Sequence, residues 1–134
     1  MPFKSRLRQT DYNREWMRKR RQEVITQLGG KCTMCGVTDE LEIDYIDPSA
    51  KALPIGSVLG MSLSNPVRIA ELAKCQLLCS KHHSEKTVQA RTEQRNKTIA
   101  QVYHLRDTTD LNQRQIAERI GIHRSHVTHI LSKR

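Results

Sequence analysis

Lys31-Cys32-Thr33-Met34-Cys35-Gly36 and Lys74-Cys75-Gln76-Leu77-Leu78-Cys79-Ser80-Lys81-His82-His83 lie far apart in this chain, and each carries a pair of soft donors two residues apart. The pairs are Cys32 with Cys35, and Cys79 with His82. A two-residue gap lets both side chains of a pair turn to one centre. Two such pairs complete a tetrahedral Zn²⁺ site with donors at ~2.0–2.3 Å. A structural zinc clasping a folded insert is the expectation; redox chemistry or unliganded buried thiols are the alternatives. Cys75 falls outside the spacing and reads as a packed small hydrophobe. His83 follows His82 directly, and neighbours on a helix point ~100° apart, so the two imidazoles do not share one zinc. His83 would instead face Leu41-Glu42-Ile43-Asp44-Tyr45-Ile46, whose apolar–polar alternation before Asp47-Pro48 reads as a strand. Beside Asp44 and Asp47, His83 points to a second metal site.

Outward from this centre, residues 11–28 read as a helix. Asp11 is its expected cap, Trp16, Met17, Val24, Ile25 and Leu28 recur at helical spacing, and Gly29-Gly30 ends it. Arg14, Arg18, Lys19 and Arg21 lie on its other face, which suits a phosphate backbone. Residues 48–63 read as an irregular loop. Asn65-Pro66 opens a short helix to about Ala73, with Pro in the first turn. A polar helical segment carries His82 and His83 and runs on through 84–97. From about Thr98 the tail reads as three short helices. Ile99, Val102 and Leu105 line the first, Asn112 caps the second over Ile116, Ala117 and Ile120, and Val127, Ile130 and Leu131 line the third after a turn at Gly121.

Composition narrows the partners. The 134 residues hold 23 Lys+Arg against 14 Asp+Glu, a formal net charge of +9, and only 37% are hydrophobic. One large core is therefore not expected, and small modules want a staple such as a metal. No apolar run approaches the ~20 residues of a membrane span, and no signal-peptide apolar stretch follows Met1. An intracellular, cytoplasmic protein is the expectation, which disfavours disulfides. Residues 1–31 carry nine Lys/Arg and three acids, 32–79 three and six, 80–111 six and four, and 112–134 five and one. Two basic ends flanking an acidic middle suit double-stranded DNA, with a divalent cation between carboxylates and phosphate.

The order Cys32-x-x-Cys35-Gly36, Leu41-Glu42-Ile43-Asp44-Tyr45-Ile46-Asp47-Pro48, then Lys74-Cys75-Gln76-Leu77-Leu78-Cys79-x-x-His82-His83 with Lys86-Thr87 trailing resembles the zinc-clasped HNH endonucleases of phage and intron homing type. The resemblance covers about residues 30–90. It implies a ββα-metal unit in which Asp44 and His83 ligate a catalytic Mg²⁺ or Mn²⁺, separate from the zinc. It also marks two departures. Tyr45 stands where the family has its general-base histidine, and Lys74 aligns with the family's middle asparagine. An unperturbed tyrosine, with pKa ~10, is only about 0.1% ionised at pH 7 and makes a poor base. Tyr45 therefore implies a loss of function, natural or engineered, before it implies an alternative base activated by metal.

Residues 113–131 resemble a helix-turn-helix. Ala117 is small where the two helices approach, Gly121 permits the turn, and Ile120, Ile122 and Val127 fill the space between. His123, Arg124, Ser125, His126, Thr128 and His129 are then outward on the helix that enters the major groove in this motif. The expected fold class is α+β: a small zinc-stapled ββα-metal module (32–97), flanked by a basic N-terminal helix (1–31) and a C-terminal all-α helix-turn-helix (98–134). The expected function is metal-dependent, site-specific DNA cleavage by a chain expected to be monomeric, crippled at Tyr45. A non-cleaving DNA-binding regulator is the alternative, and a zinc-stabilised protein-interaction module a third reading.

Overall fold

The computed structural model describes residues 2–133, with side chains described from Arg6 onward. The chain divides into two compact units, Met1–Ser84 and Glu85–Arg134.

The first unit is built on an antiparallel strand pair. β1 (Leu41–Tyr45) runs against β2 (Cys75–Cys79), with Leu41 opposite Cys79, Asp44 opposite Gln76 and Tyr45 opposite Cys75. Alternation turns Leu41, Ile43 and Tyr45 into the core and leaves Glu42 and Asp44 half-exposed on the other face. Leu77 and Leu78 of β2 are fully buried, so the short apolar run before Cys79 is a strand because it has β1 to pair with.

α1 spans Pro2–Gln27, so the expected start at Asp11 is overturned. Arg, Gln and Leu are good helix formers and carry the helix back toward the N-terminus. Asp11 therefore caps nothing; it sits 3.9 Å from Arg14, one turn on. Residues 6–15 are exposed all round; the helix reaches the core with Met17, Val24 and Ile25, and Leu28 joins them just past its end. It closes through Gly29 (φ 104°) and Gly30 (φ 66°), the amide of Gly30 donating to the Ile25 carbonyl at 2.9 Å. That left-handed closure is what glycine permits.

The stretch 48–63 is not an irregular loop. Asp47 accepts from the Ser49 amide at 2.9 Å and starts a 3₁₀ turn over Pro48–Ala50, and α2 (Ile55–Gly60) follows. Two buried residues, Val58 and Leu59, anchor α2, too few to register as a helical period in the sequence. α3 (Pro66–Leu72) is capped by Asn65, which accepts from the Val67 amide at 2.9 Å. Its Arg68 is 2% exposed and donates to the carbonyls of Leu59 (3.2 Å) and Met61 (3.1 Å), satisfying the end of α2.

α4 (Ser80–Thr108) begins in the first unit and ends in the second. The separate short helix expected from Thr98 is the end of this single 29-residue helix. The sequence has no Gly or Pro between Pro66 and Gly121, so nothing interrupts it. In the second unit Val102 of α4 packs with Ile116 and Ala117 of α5 (Gln113–Ile120) and Val127 of α6 (Arg124–Leu131). Leu105, Ile120, Ile122, Ile130 and Leu131 surround that core, and Tyr103 donates to the Ile130 carbonyl at 3.1 Å. Asn112 and Gln115 form a reciprocal capping box at the start of α5. Gly121, at φ 81°, turns the chain between α5 and α6. The whole is an α+β chain: a strand pair followed by a long helix, with an N-terminal helix before it and two short helices after.

Candidate metal centre and the acidic face beside it

Cys32 and Cys35 lie on a tight knuckle. The Gly36 amide donates to the Cys32 carbonyl (2.9 Å), the Cys32 amide to Val37 (2.8 Å), and the Thr33 amide to Leu77 of β2 (2.9 Å). The last bond brings the knuckle against the strand that ends in Cys79, and His82 follows in the first turn of α4. The four donor atoms lie within 4.8 Å of one another. His82 Nδ1 is 3.2 Å from Cys79 Sγ and 3.6 Å from Cys32 Sγ, and Cys35 Sγ is 3.9 Å from Cys79 Sγ. A tetrahedron of donors ~2.0–2.3 Å from its centre has edges of about 3.3–3.8 Å, so the spacing fits. Three thiols and one imidazole are the donor set of a closed, structural zinc site, and the cluster can hold that ion. Burial works to raise the Cys32 thiol pKa, but bonds from the Cys79, Cys35 and Met34 amides outweigh it and bring it to about 6. That favours the thiolate a metal needs. Cys75 is buried outside this set, its thiol donating to the Glu71 carbonyl at 3.4 Å; burial first, then the Glu71 charge, pushes it up to about 11. It is the packed residue the spacing indicates.

His83 is the next residue along α4, and its ring meets the half-exposed face of β1. Its Nε2 lies 3.7 Å from Asp44 Oδ1, the proximity the sequence reading anticipated. Its Nδ1 lies 2.6 Å from Glu42 Oε2, a contact that reading passed over. The signal was present: two-residue alternation puts Glu42 on the same face as Asp44. Gln76, directly opposite on β2, donates to Asp44 Oδ2 at 3.4 Å and leaves Oδ1 toward His83.

Tyr45 and Lys74 serve the loop after β1. The Tyr45 hydroxyl shares its proton between the Leu53 carbonyl (2.6 Å) and the Glu71 carboxylate (3.0 Å). Burial, reinforced by Glu71, pushes it up to about 12. Lys74 Nζ pairs with Glu71 and donates to the Ala50 carbonyl at 3.1 Å. Glu71 is 3% exposed and also accepts from the Ala52 amide at 3.3 Å. Lys74 above all, then the Tyr45 and Ala52 donors, hold its carboxyl below the usual range. Sequence reading missed Glu71 entirely, because a single acid in a short helix gives no hint that a loop will fold over it.

The basic residues read as DNA contacts are on the surface. Arg14, Arg18, Lys19 and Arg21 are exposed on α1, though Arg18 is held in a two-point pair by Glu15 at 2.8 and 3.1 Å. His123, Arg124, Ser125, His126, Thr128 and His129 are all exposed. His123 is not on the helix face but caps α6, Nδ1 accepting from the Ser125 amide at 3.2 Å. Thr128 donates to Gln113 of α5 at 2.8 Å. His126 and His129 border a groove of about 460 Å³ whose α4 side carries Arg91 and Arg95, two cations not singled out by the sequence reading. Among the described residues, no helix is long and apolar enough to cross a membrane.

No family model, curated protein or solved structure gives a significant match to this chain.

Proposed function

We propose that this chain is a zinc-clasped DNA endonuclease of the HNH type, slowed at its proton-transfer step. The observation that carries the reading is the meeting of Asp44 and His83 across β1 and the first turn of α4, immediately beside the Cys32, Cys35, Cys79 and His82 cluster. The zinc would fasten the knuckle to the start of α4 and so hold His83 opposite the strand. Asp44 and His83 would hold a Mg²⁺ or Mn²⁺, which when bound supplies Lewis-acid stabilisation of phosphate oxygens. Tyr45, at the base position of the resemblance, has its proton committed to Leu53 and Glu71 and its pKa at about 12, so it takes no proton from water near neutrality. The cations of α1 would meet backbone phosphates. The α5–α6 pair, read as a helix-turn-helix, would present Arg124, Ser125, His126 and Thr128 to base edges.

The engaged hydroxyl of Tyr45 favours one second reading, a DNA-binding protein that does not cleave. Nicking of supercoiled plasmid in Mg²⁺ or Mn²⁺ tests both. Under the nuclease reading, cleavage is slow in the wild type, is abolished in Asp44→Asn, and rises ~10²-fold or more in Tyr45→His. DNA binding without nicking in all three proteins supports the second reading. Absence of any salt-dependent DNA binding overturns both and leaves a zinc-stabilised protein-interaction module.

A further inference from the structure

We infer that Glu42 is a positioning residue that fixes the tautomer of His83 and aims its Nε2 at the cation site beside Asp44; the inference rests on the metal-site reading above.

Glu42 and Asp44 are two residues apart on β1, so their side chains leave the same face of the strand ~7 Å apart along it. The His83 ring lies between them. Its Nδ1 is 2.6 Å from Glu42 Oε2, a short, charge-assisted contact, and its Nε2 is 3.7 Å from Asp44 Oδ1. The two distances ask for different chemistry. A carboxylate only accepts, so the Glu42 contact requires a proton on Nδ1. In the neutral ring that leaves the Nε2 lone pair facing Asp44. A gap of 3.7 Å is too long for a hydrogen bond, but two donors each ~2.1 Å from one ion can be separated by that much. Glu42 thus stands to His83 as an outer carboxylate stands to a metal-bound imidazole: it sets the ring's angle, selects the tautomer and raises the donor strength of the far nitrogen. Gln76 does the corresponding work on Asp44, donating to Oδ2 and leaving Oδ1 toward the ring. An imidazolium paired with both acids would also span these two distances, and the Mn²⁺ titration below separates that arrangement from a cation site.

The test uses the full, zinc-loaded chain and Mn²⁺ as probe, titrated calorimetrically against the wild type, Glu42→Gln, Glu42→Ala, Asp44→Asn and His83→Ala. Retained zinc and an unchanged circular dichroism spectrum control for folding. Removing an outer-shell partner of this kind weakens metal binding ~10–100-fold, which is the expectation for Glu42→Ala. Glu42→Gln loses less, because its amide oxygen still accepts from Nδ1–H. The readout that a purely structural role would not move is the ¹⁵N spectrum of His83 in alkaline buffer: Nδ1–H in the wild type and in Glu42→Gln, a tautomer mixture in Glu42→Ala. Should Asp44→Asn and His83→Ala abolish Mn²⁺ binding while Glu42→Ala changes neither affinity nor tautomer, the inference fails and the metal site stands. A flat titration in the wild type, or one indifferent to Asp44 and His83, removes the metal site and the inference with it.

Discussion

Tyr45 illustrates how much one side chain can hold. Its hydroxyl reaches the Leu53 carbonyl and the Glu71 carboxylate, and Glu71 in turn collects Lys74 and the Ala52 amide, so the loop after β1 is tied to α3 through one buried acid. Tyr45→Phe keeps the ring packing but removes the donor. It should lower unfolding free energy by about 1–3 kcal/mol in denaturant titrations, since a buried acceptor is left short. Glu71 makes a pH prediction. Its carboxyl is held below the ordinary value of 4.5, chiefly by Lys74, so its contribution to stability is complete above that value and disappears as pH falls through the lowered one. Acid unfolding monitored by Trp16 fluorescence should show this dependence in the wild type and a weaker one in Glu71→Gln. Equal acid sensitivity in the two proteins would mean that other carboxylates carry it.

At the scale of elements, the four clustered donors come from three places: the knuckle after α1, the end of β2 and the first turn of α4. Donors drawn from three separate places form no site in the unfolded chain, so the binding energy of an ion at the cluster would be largely folding energy for Met1–Ser84. A strong chelator should therefore lower the melting temperature of that unit while the helical signal of Glu85–Arg134, with its separate core, survives. Absence of zinc by elemental analysis together with an unchanged melt would overturn the zinc assignment. The α5–α6 turn offers a cleaner test of backbone energetics. Gly121 sits at φ 81°, and a Cβ there would meet no atom within 4 Å. Gly121→Ala should thus cost about 1–2 kcal/mol from conformation alone, readable in urea, with no change in the packing of Ile116 or Val127.

At the scale of the whole molecule, the proposed DNA reading divides labour between surfaces, and the structure sharpens the expected magnitudes. Arg21 is exposed with no ion pair among the described residues, whereas Arg18 is already engaged by Glu15. Arg21→Ala should flatten the salt dependence of DNA binding by about one phosphate, and Arg18→Ala by less. Arg124→Ala should instead relax base preference at one or two positions in selections from randomised duplexes, because a bidentate base contact discriminates by ~1–3 kcal/mol. If Arg124→Ala weakens all sequences alike, recognition does not reside in α6.

The sequence by itself determined what is local: the two donor pairs, the alternation of β1, the Asn65 and Asn112 caps and the glycine turns at 29–30 and 121. Each is a matter of spacing over a few residues or of a backbone angle that only glycine adopts freely. The tertiary structure alone decided what depends on distant partners. The placement of α4 beside β1 decided that His83 meets Glu42 as well as Asp44, two acids that alternation already puts on one face. Folding of the insert over Glu71 turned Tyr45 and Lys74 into loop anchors and made helices of residues 48–63. The core around Val102 gave the end of α4 its packing, where the change from polar to apolar periodicity suggested a break. Periodicity reports which side of an element is apolar; it carries no information about which residue from thirty positions away will stand opposite it.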